Sequence, residues 1–274
     1  MSNDIKRRTA TGVDNPMTYN LSAGHELETI AQGFADAYMD IIAASIKSQP
    51  RSQQKRIGPS EMGIACARAI LHKLNGDPEP ERGDVPWKPT IGTAMHAYLE
   101  DAFTAASAPG QEQQGRWVTE QQVEVGTVGQ QMITGHSDLY DAWLGIVGDH
   151  KLIGRNTMKK YRAHGPGPQY RYQAHLYGRG QRAAGRKVTL VAICFLPRET
   201  ELNDTYIWTE PYQEDLADEA LRRVDALERL RATIGIDTAL AAYQPCDDTW
   251  CDWCGSRSQF GQRPLAKTTA ALFT

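Results

Sequence analysis

"GHSDLYDAWLGIVGDHKL", residues 135–152, places two acids and a lysine on what reads as two strands joined by a turn. Asp138 falls in the strand-like segment 131–140, and Asp149 and Lys151 fall toward the end of the segment 143–153. Strand side chains alternate between faces, so Asp149 and Lys151 project together while His150 points away. If the two strands pair as a hairpin, Asp138 approaches Asp149 from its neighbour. Converging carboxylates form a site for a hard divalent cation. An adjacent ammonium group can orient an attacking water and offset the charge that grows on a phosphoryl oxygen. The same residue types also build structural ion networks. Here both charges follow directly on the apolar run "GIV", where burial is costly unless a metal or ligand compensates it.

Working outward, 117–125 makes a third strand of the same meander. Helical spacing marks 21–46, through Leu27, Ile30, Phe34 and Tyr38, and again 90–106. Ser60 is placed to cap a helix running to about residue 74. Downstream come a helix over 168–184, the apolar strand "KVTLVAICFL" at 187–196, a short strand at 204–209 and an amphipathic helix at 213–234. This order implies an α/β fold, a mixed central sheet flanked by helices. The expected organisation is a flexible tail over 1–20, an N-terminal helix and linker over 21–56, one main domain over 57–260, and a tail over 261–274.

The chain has 274 residues, 41% of them hydrophobic and 23% charged, as in an ordinary soluble protein. No apolar run is long enough to span a membrane, and the N-terminus lacks the apolar stretch of a signal peptide, so a cytoplasmic location is expected. The formal charge is −3. Its distribution is uneven, because 151–198 holds eleven Lys and Arg and no acid. Tyr161, Tyr170, Tyr172 and Tyr177 are interleaved with them. Clustered cations among aromatics suit a nucleic-acid backbone and unstacked bases, and Arg155, Lys159, Lys160, Arg162, Arg171 and Arg179 are the candidate DNA-binding residues.

Three of the five cysteines form C-x4-C-x2-C, "CDDTWCDWC", through Cys246, Cys251 and Cys254. Cys66 in "GPSEMGIACARAI" supplies a distant fourth thiolate at about the second turn of its helix. Such a set suits Zn²⁺ or an iron–sulfur cluster, and its spacing does not separate the two. Cys194, inside "VAICFL", reads as a core thiol.

"GHSDLYD", "GIVGDHK", "QAHLY" and, upstream, "IGTAMHAYLE" together resemble the motifs of RecB-like PD-(D/E)XK nucleases, over roughly 58–254. The resemblance implies a restriction-endonuclease-like core with His96, Asp138 and Asp149 as metal ligands, joined by the backbone carbonyl of His150, and Lys151 as the catalytic lysine. Glu100, one helical turn after His96, would hold that imidazole or reach the metal through water. Gln173 and Tyr177 fall on the active-site side in that family. Mg²⁺ or Mn²⁺ is the implied ion, since imidazole tolerates the softer one. "SEMGIACAR" and "WCDWC" are similar to segments of an iron–sulfur subgroup that includes the CRISPR-adaptation-associated and AddB-type nucleases. There, four cysteines matching Cys66, Cys246, Cys251 and Cys254 hold a 4Fe–4S cluster. The match departs from the commoner tail, because Cys246 precedes the Cys251–Cys254 pair and no cysteine follows it, which keeps structural Zn²⁺ as the alternative.

The function implied is a metal-dependent DNA exonuclease, with endonuclease activity on single strands or flaps, in recombination, repair or phage DNA metabolism. It would act on DNA with free ends or single strands, in the host cytoplasm if phage-encoded. No helicase motif is present, so any unwinding would come from a helicase or recombination partner. A catalytically inactive DNA-end binding module and a zinc-stapled interaction protein are the alternatives.

Overall fold

A computed structural model describes residues 25–48, 57–80, 85–248 and 251–254. The expected tails at 1–20 and 261–274 lie outside them, as does most of the expected linker. The chain divides into two compact units, one drawn from Met1–Gln54 with Glu81–Thr93, the other from Lys55–Pro80 with Ala94–Thr274. In the first, α1 (His25–Ser48) carries Ile30, Phe34, Tyr38 and Ile41 exposed along one stripe.

The second unit holds the sheet. Its order is β1 (Trp117–Val128), β2 (Gln131–Asp141), β3 (Ile146–Ile153), β4 (Leu190–Pro197) and β5 (Tyr206–Pro211), adjacent in space as in sequence. All neighbours are antiparallel except β3 and β4. That parallel step requires a crossover, which α4 (Arg155–His164) and α5 (Pro168–Ala183) provide. Mixed sheet and flanking helices are as the pattern implied.

The core explains the strand sequences. Val147, Val191, Ile193 and Phe195 are buried on β3 and β4, and α5 and α6 (Glu214–Ile234) bring Ala174, Leu176, Ala217, Ala220 and Val224 to the same cluster. Chains buried on both faces read as the continuous apolar run seen in β4.

Four local expectations change. Ser60 lies in a 3-10 turn (Pro59–Glu61), and the helix after it is α2 (Ala67–Asn75), capped by the Cys66 thiol, which accepts from the Ala69 N–H at 3.4 Å. Ahead of this helix Gly63 packs so closely on Gln169 that a β-carbon there would meet its backbone at 2.4 Å. Cys66 stands at the helix start and not in its second turn. Next, α3 (Trp87–Ala106) begins three residues before the expected 90. Helices α4 and α7 (Ile236–Ala241) occupy stretches with no apolar periodicity to announce them.

Candidate active site

Register brings the acids together. The last β2–β3 pair is Leu139 with Gly148, so Asp138 and Asp149 stand opposite one another one step beyond it. There the ladder stops, because Asp138 Oδ2 accepts the His150 N–H at 2.7 Å in place of a strand carbonyl. The strands part at the carboxylates.

Asp149 is buried, hydrogen-bonded through one oxygen and ion-paired through the other. Gln173 Nε2 on α5 donates to its Oδ1 at 2.9 Å, and Lys151 Nζ lies 2.5 Å from its Oδ2. Lys151 also sits over the Tyr170 ring, 5.4 Å from the centroid. Thus the alternation of β3 turns Asp149 and Lys151 to one face, as expected, and that face meets α5. His150 points the other way, with its ring stacked on Phe103 of α3.

His96 of α3 enters from that side. Its Nε2 donates to the His150 carbonyl at 3.1 Å, while Nδ1 lies 3.6 Å from Asp138 Oδ1 and 3.8 Å from Glu120 Oε1. Side-chain ligand atoms of His96, Glu120 and Asp138 lie within 4.8 Å of one another. Glu120, on β1, was not singled out from sequence; Glu100 was, and it lies exposed on α3 outside that group. Tyr177 is buried in the main core.

The electrostatics follow from burial. Burial raises Asp149 above the usual carboxylate range, against the opposing pull of Lys151. Burial likewise raises Asp138, opposed by Lys151, His96 and the His150 N–H. Glu120 and then Asp138 hold His96 above its ordinary value despite burial. Burial drives His150 down to about 4, leaving it neutral at physiological pH. Three carboxylates thus face one ammonium and one imidazole. The donor set and the residual negative charge both fit a divalent cation.

The basic stretch divides in two. On α5, Arg171 forms a bidentate pair with Glu210, at 2.9 and 2.8 Å, and Arg179 pairs with Glu214 and Asp218. On α4, Arg155, Lys159, Lys160 and Arg162 are exposed. Arg155, Lys159, Arg162 and Arg198 rim a cavity of about 510 Å³ floored by Ile153 and Met158. The tyrosines do not form a stacking platform. Tyr161 and Tyr170 pack on buried Phe195, and Tyr172 donates its hydroxyl to Glu219 at 2.7 Å.

The four distant cysteines converge. Cys66, Cys246, Cys251 and Cys254 offer sulfurs within 4.8 Å of one another, with Cys66 and Cys254 3.6 Å apart. Trp253 is buried beside them and stacks on His72 with centroids 4.0 Å apart. Burial raises the Cys66 thiol far above its ordinary value, a cost that a bound metal would reverse. Cys194 is half-buried on β4, raised to about 12 by burial.

No known protein family and no curated protein matches the chain. An alkaline exonuclease, LHK-Exo, from Laribacter hongkongensis is similar in structure at 14% identity, over 70% of this chain and 96% of that one, with a TM-score of 0.46. LHK-Exo in complex with dAMP is similar at 16% identity, over 70% and 95%, with a TM-score of 0.46. No helix among the described residues is long and apolar enough to cross a membrane.

Proposed function

We propose that the chain is a metal-dependent PD-(D/E)XK deoxyribonuclease, acting as an exonuclease on DNA ends and single strands. The observation that carries this reading is the joined set of Asp138, Asp149 and Lys151 at the point where β2 and β3 separate, with Gln173 holding Asp149. Asp138 and His96 would hold the ion, with Asp149 beside them. When bound, a divalent ion supplies Lewis acidity at the phosphate and lowers the pKa of water. Lys151, held by Asp149, orients the attacking water and balances charge developing on the phosphoryl oxygens. Gln173 keeps the Asp149 carboxylate, and through it the ammonium, in one place. The exposed cations of α4 hold the DNA backbone.

The four thiolates hold a structural metal that ties α2 to the C-terminal loop. Thiolates sharing one tetrahedral ion at about 2.3 Å stand roughly 3.8 Å apart. A 4Fe–4S cluster gives each thiolate its own iron and spreads them farther. The 3.6 Å separation of Cys66 and Cys254 therefore favours a single ion such as zinc over the cluster.

The test is digestion of end-labelled single- and double-stranded DNA with Mn²⁺, Mg²⁺ or EDTA. Wild type should release label only with metal, and Asp149→Ala and Lys151→Ala should lose at least about 100-fold in rate while still folding. Retarded DNA without hydrolysis under any metal would mean an end-binding module instead.

A further inference from the structure

Glu120 has no place in the site as the sequence reads, yet the structure delivers its carboxylate there by a specific device. From the turn inward, β1 and β2 pair as Val128 with Gln131, Thr127 with Met132 and Gly126 with Ile133. Continued unbroken, that register would set Gln121 opposite Asp138. Instead a bulge intervenes, and Glu124 pairs with Thr134. Every residue beyond it shifts by one. Thr119 pairs with Leu139 and Gln121 with Ser137, so Glu120 stands opposite Asp138. Bulges of this kind re-aim side chains.

The row that results is Glu120, Asp138 and Asp149 across three successive strands. Like charges directly opposite one another oppose sheet formation. Glu120 also adopts a φ of 43°, and among the described residues no other non-glycine has positive φ.

The geometry around His96 says what the row is for. Its Nδ1 lies 3.6 Å from Asp138 Oδ1 and 3.8 Å from Glu120 Oε1, beyond ordinary hydrogen-bond reach. Ligands about 2.1 Å from one octahedral ion stand roughly 3.0 Å apart when adjacent and 4.2 Å apart when opposite. Both separations fall in that interval. His96 Nε2 donates to the His150 carbonyl at 3.1 Å, which leaves Nδ1 as the ring nitrogen that faces both carboxylates.

We infer that Glu120 is a side-chain ligand of the catalytic divalent ion, completing a His96 Nδ1, Asp138 and Glu120 set. The His150 carbonyl, given to the metal by the resemblance, serves here to orient His96. The inference rests on the metal-dependent reading above.

The experiment is calorimetric titration of the full chain with Mn²⁺, comparing wild type, Glu120→Gln, Glu120→Asn and Asp138→Asn, alongside melting of each protein without Mn²⁺. Mn²⁺ reports on oxygen and nitrogen donors in preference to the thiolates. Asparagine tolerates the left-handed backbone at this position, so it guards against a folding failure. Both Glu120 variants should bind Mn²⁺ about 10- to 100-fold more weakly, with metal-free melting unchanged or raised. Wild-type affinity in both, with binding lost in Asp138→Asn, would overturn the assignment. If Mn²⁺ binding depends on Glu120 but wild type cuts no DNA, the ligand stands and the nuclease reading fails. If wild type binds no Mn²⁺ at all, the inference falls with the metal site.

Discussion

Gln173 Nε2 donates to Asp149 Oδ1 at 2.9 Å, and this bond joins the middle of α5 to the strand that carries the lysine. Asp149 is buried, its other oxygen faces Lys151, and so the helix amide decides where the carboxylate and the ammonium point. The amide is itself held from behind. Two residues on, His175 Nε2 lies 2.8 Å from Glu210 on β5, and Glu210 also receives both arms of Arg171. Helix α5 is thereby pinned to the sheet on both sides of Gln173.

Replacing Gln173 with Ala should consequently act on turnover more than on fold. With Oδ1 unpaired, Asp149 can rotate and carry Lys151 with it. We expect kcat for DNA cleavage to fall about 10- to 100-fold, with KM little changed. Steady-state kinetics on a short labelled strand would show it, and an unchanged kcat would remove Gln173 from the positioning role.

The division of the basic stretch predicts opposite phenotypes from neighbouring helices. Arg155→Ala with Lys159→Ala removes two exposed cations from α4. It should weaken DNA binding and reduce the slope of log K against log salt by nearly 2 for duplex DNA. Arg171→Ala should leave that slope alone and lower stability by about 1–2 kcal/mol, because Glu210 loses its bidentate partner beside His175. Binding isotherms across a salt series, with urea melts, separate the two. A salt slope reduced by Arg171→Ala instead would move the DNA surface to α5.

Much of this was legible because strand alternation and apolar runs are local. Asp138, Asp149 and Lys151 could be placed from "GHSDLYD" and "GIVGDHK" alone, since a two-residue period and one hairpin bring them together. The four cysteines were legible as a set for a different reason: thiolates clustered in one loop of a chain without a disulfide framework need a partner. Glu120 was hidden because its position depends on a bulge at Val125 and Gly126, and Gly126 read as the end of a strand over 117–125 when it marks a bulge within β1. Helix α4 was hidden because "RNTMKKYRAH" buries only Met158 and so has no periodic face. The tyrosines misled, because a ring that packs inward on Phe195 and a ring free to stack on a base have the same sequence signature.

Metal analysis decides the nature of the cysteine centre. With thiolates this close, purified protein should carry about one zinc per chain, be colourless, and lose zinc in Cys251→Ser. Because the centre joins Cys66 at the start of α2 to a loop nearly two hundred residues later, that variant should also melt at lower temperature. Iron and sulfide in place of zinc, with a brown colour, would show that the loop opens around a cluster. An unchanged melting temperature in Cys251→Ser would remove the stapling role whichever metal is bound.

The bulge that positions Glu120 can be tested through the residue that permits it. Gly126 has a φ of 141°, and a β-carbon there would lie 2.5 Å from Leu221 Cδ1 on α6. Gly126→Ala should therefore destabilise the fold by about 1–3 kcal/mol, through unfavourable backbone and overpacking together. The close contact is with the end of a flexible side chain, so Leu221→Ala in the same chain should recover the overpacking part and leave the backbone part. Urea unfolding of the two single variants and the double variant gives the coupling. Destabilisations that simply add, to within about 0.5 kcal/mol, would mean that Leu221 does not press on this turn of β1. A favourable coupling, with weakened Mn²⁺ binding in Gly126→Ala that the second substitution does not restore, would tie the register set by this glycine to the metal affinity of a carboxylate six residues upstream.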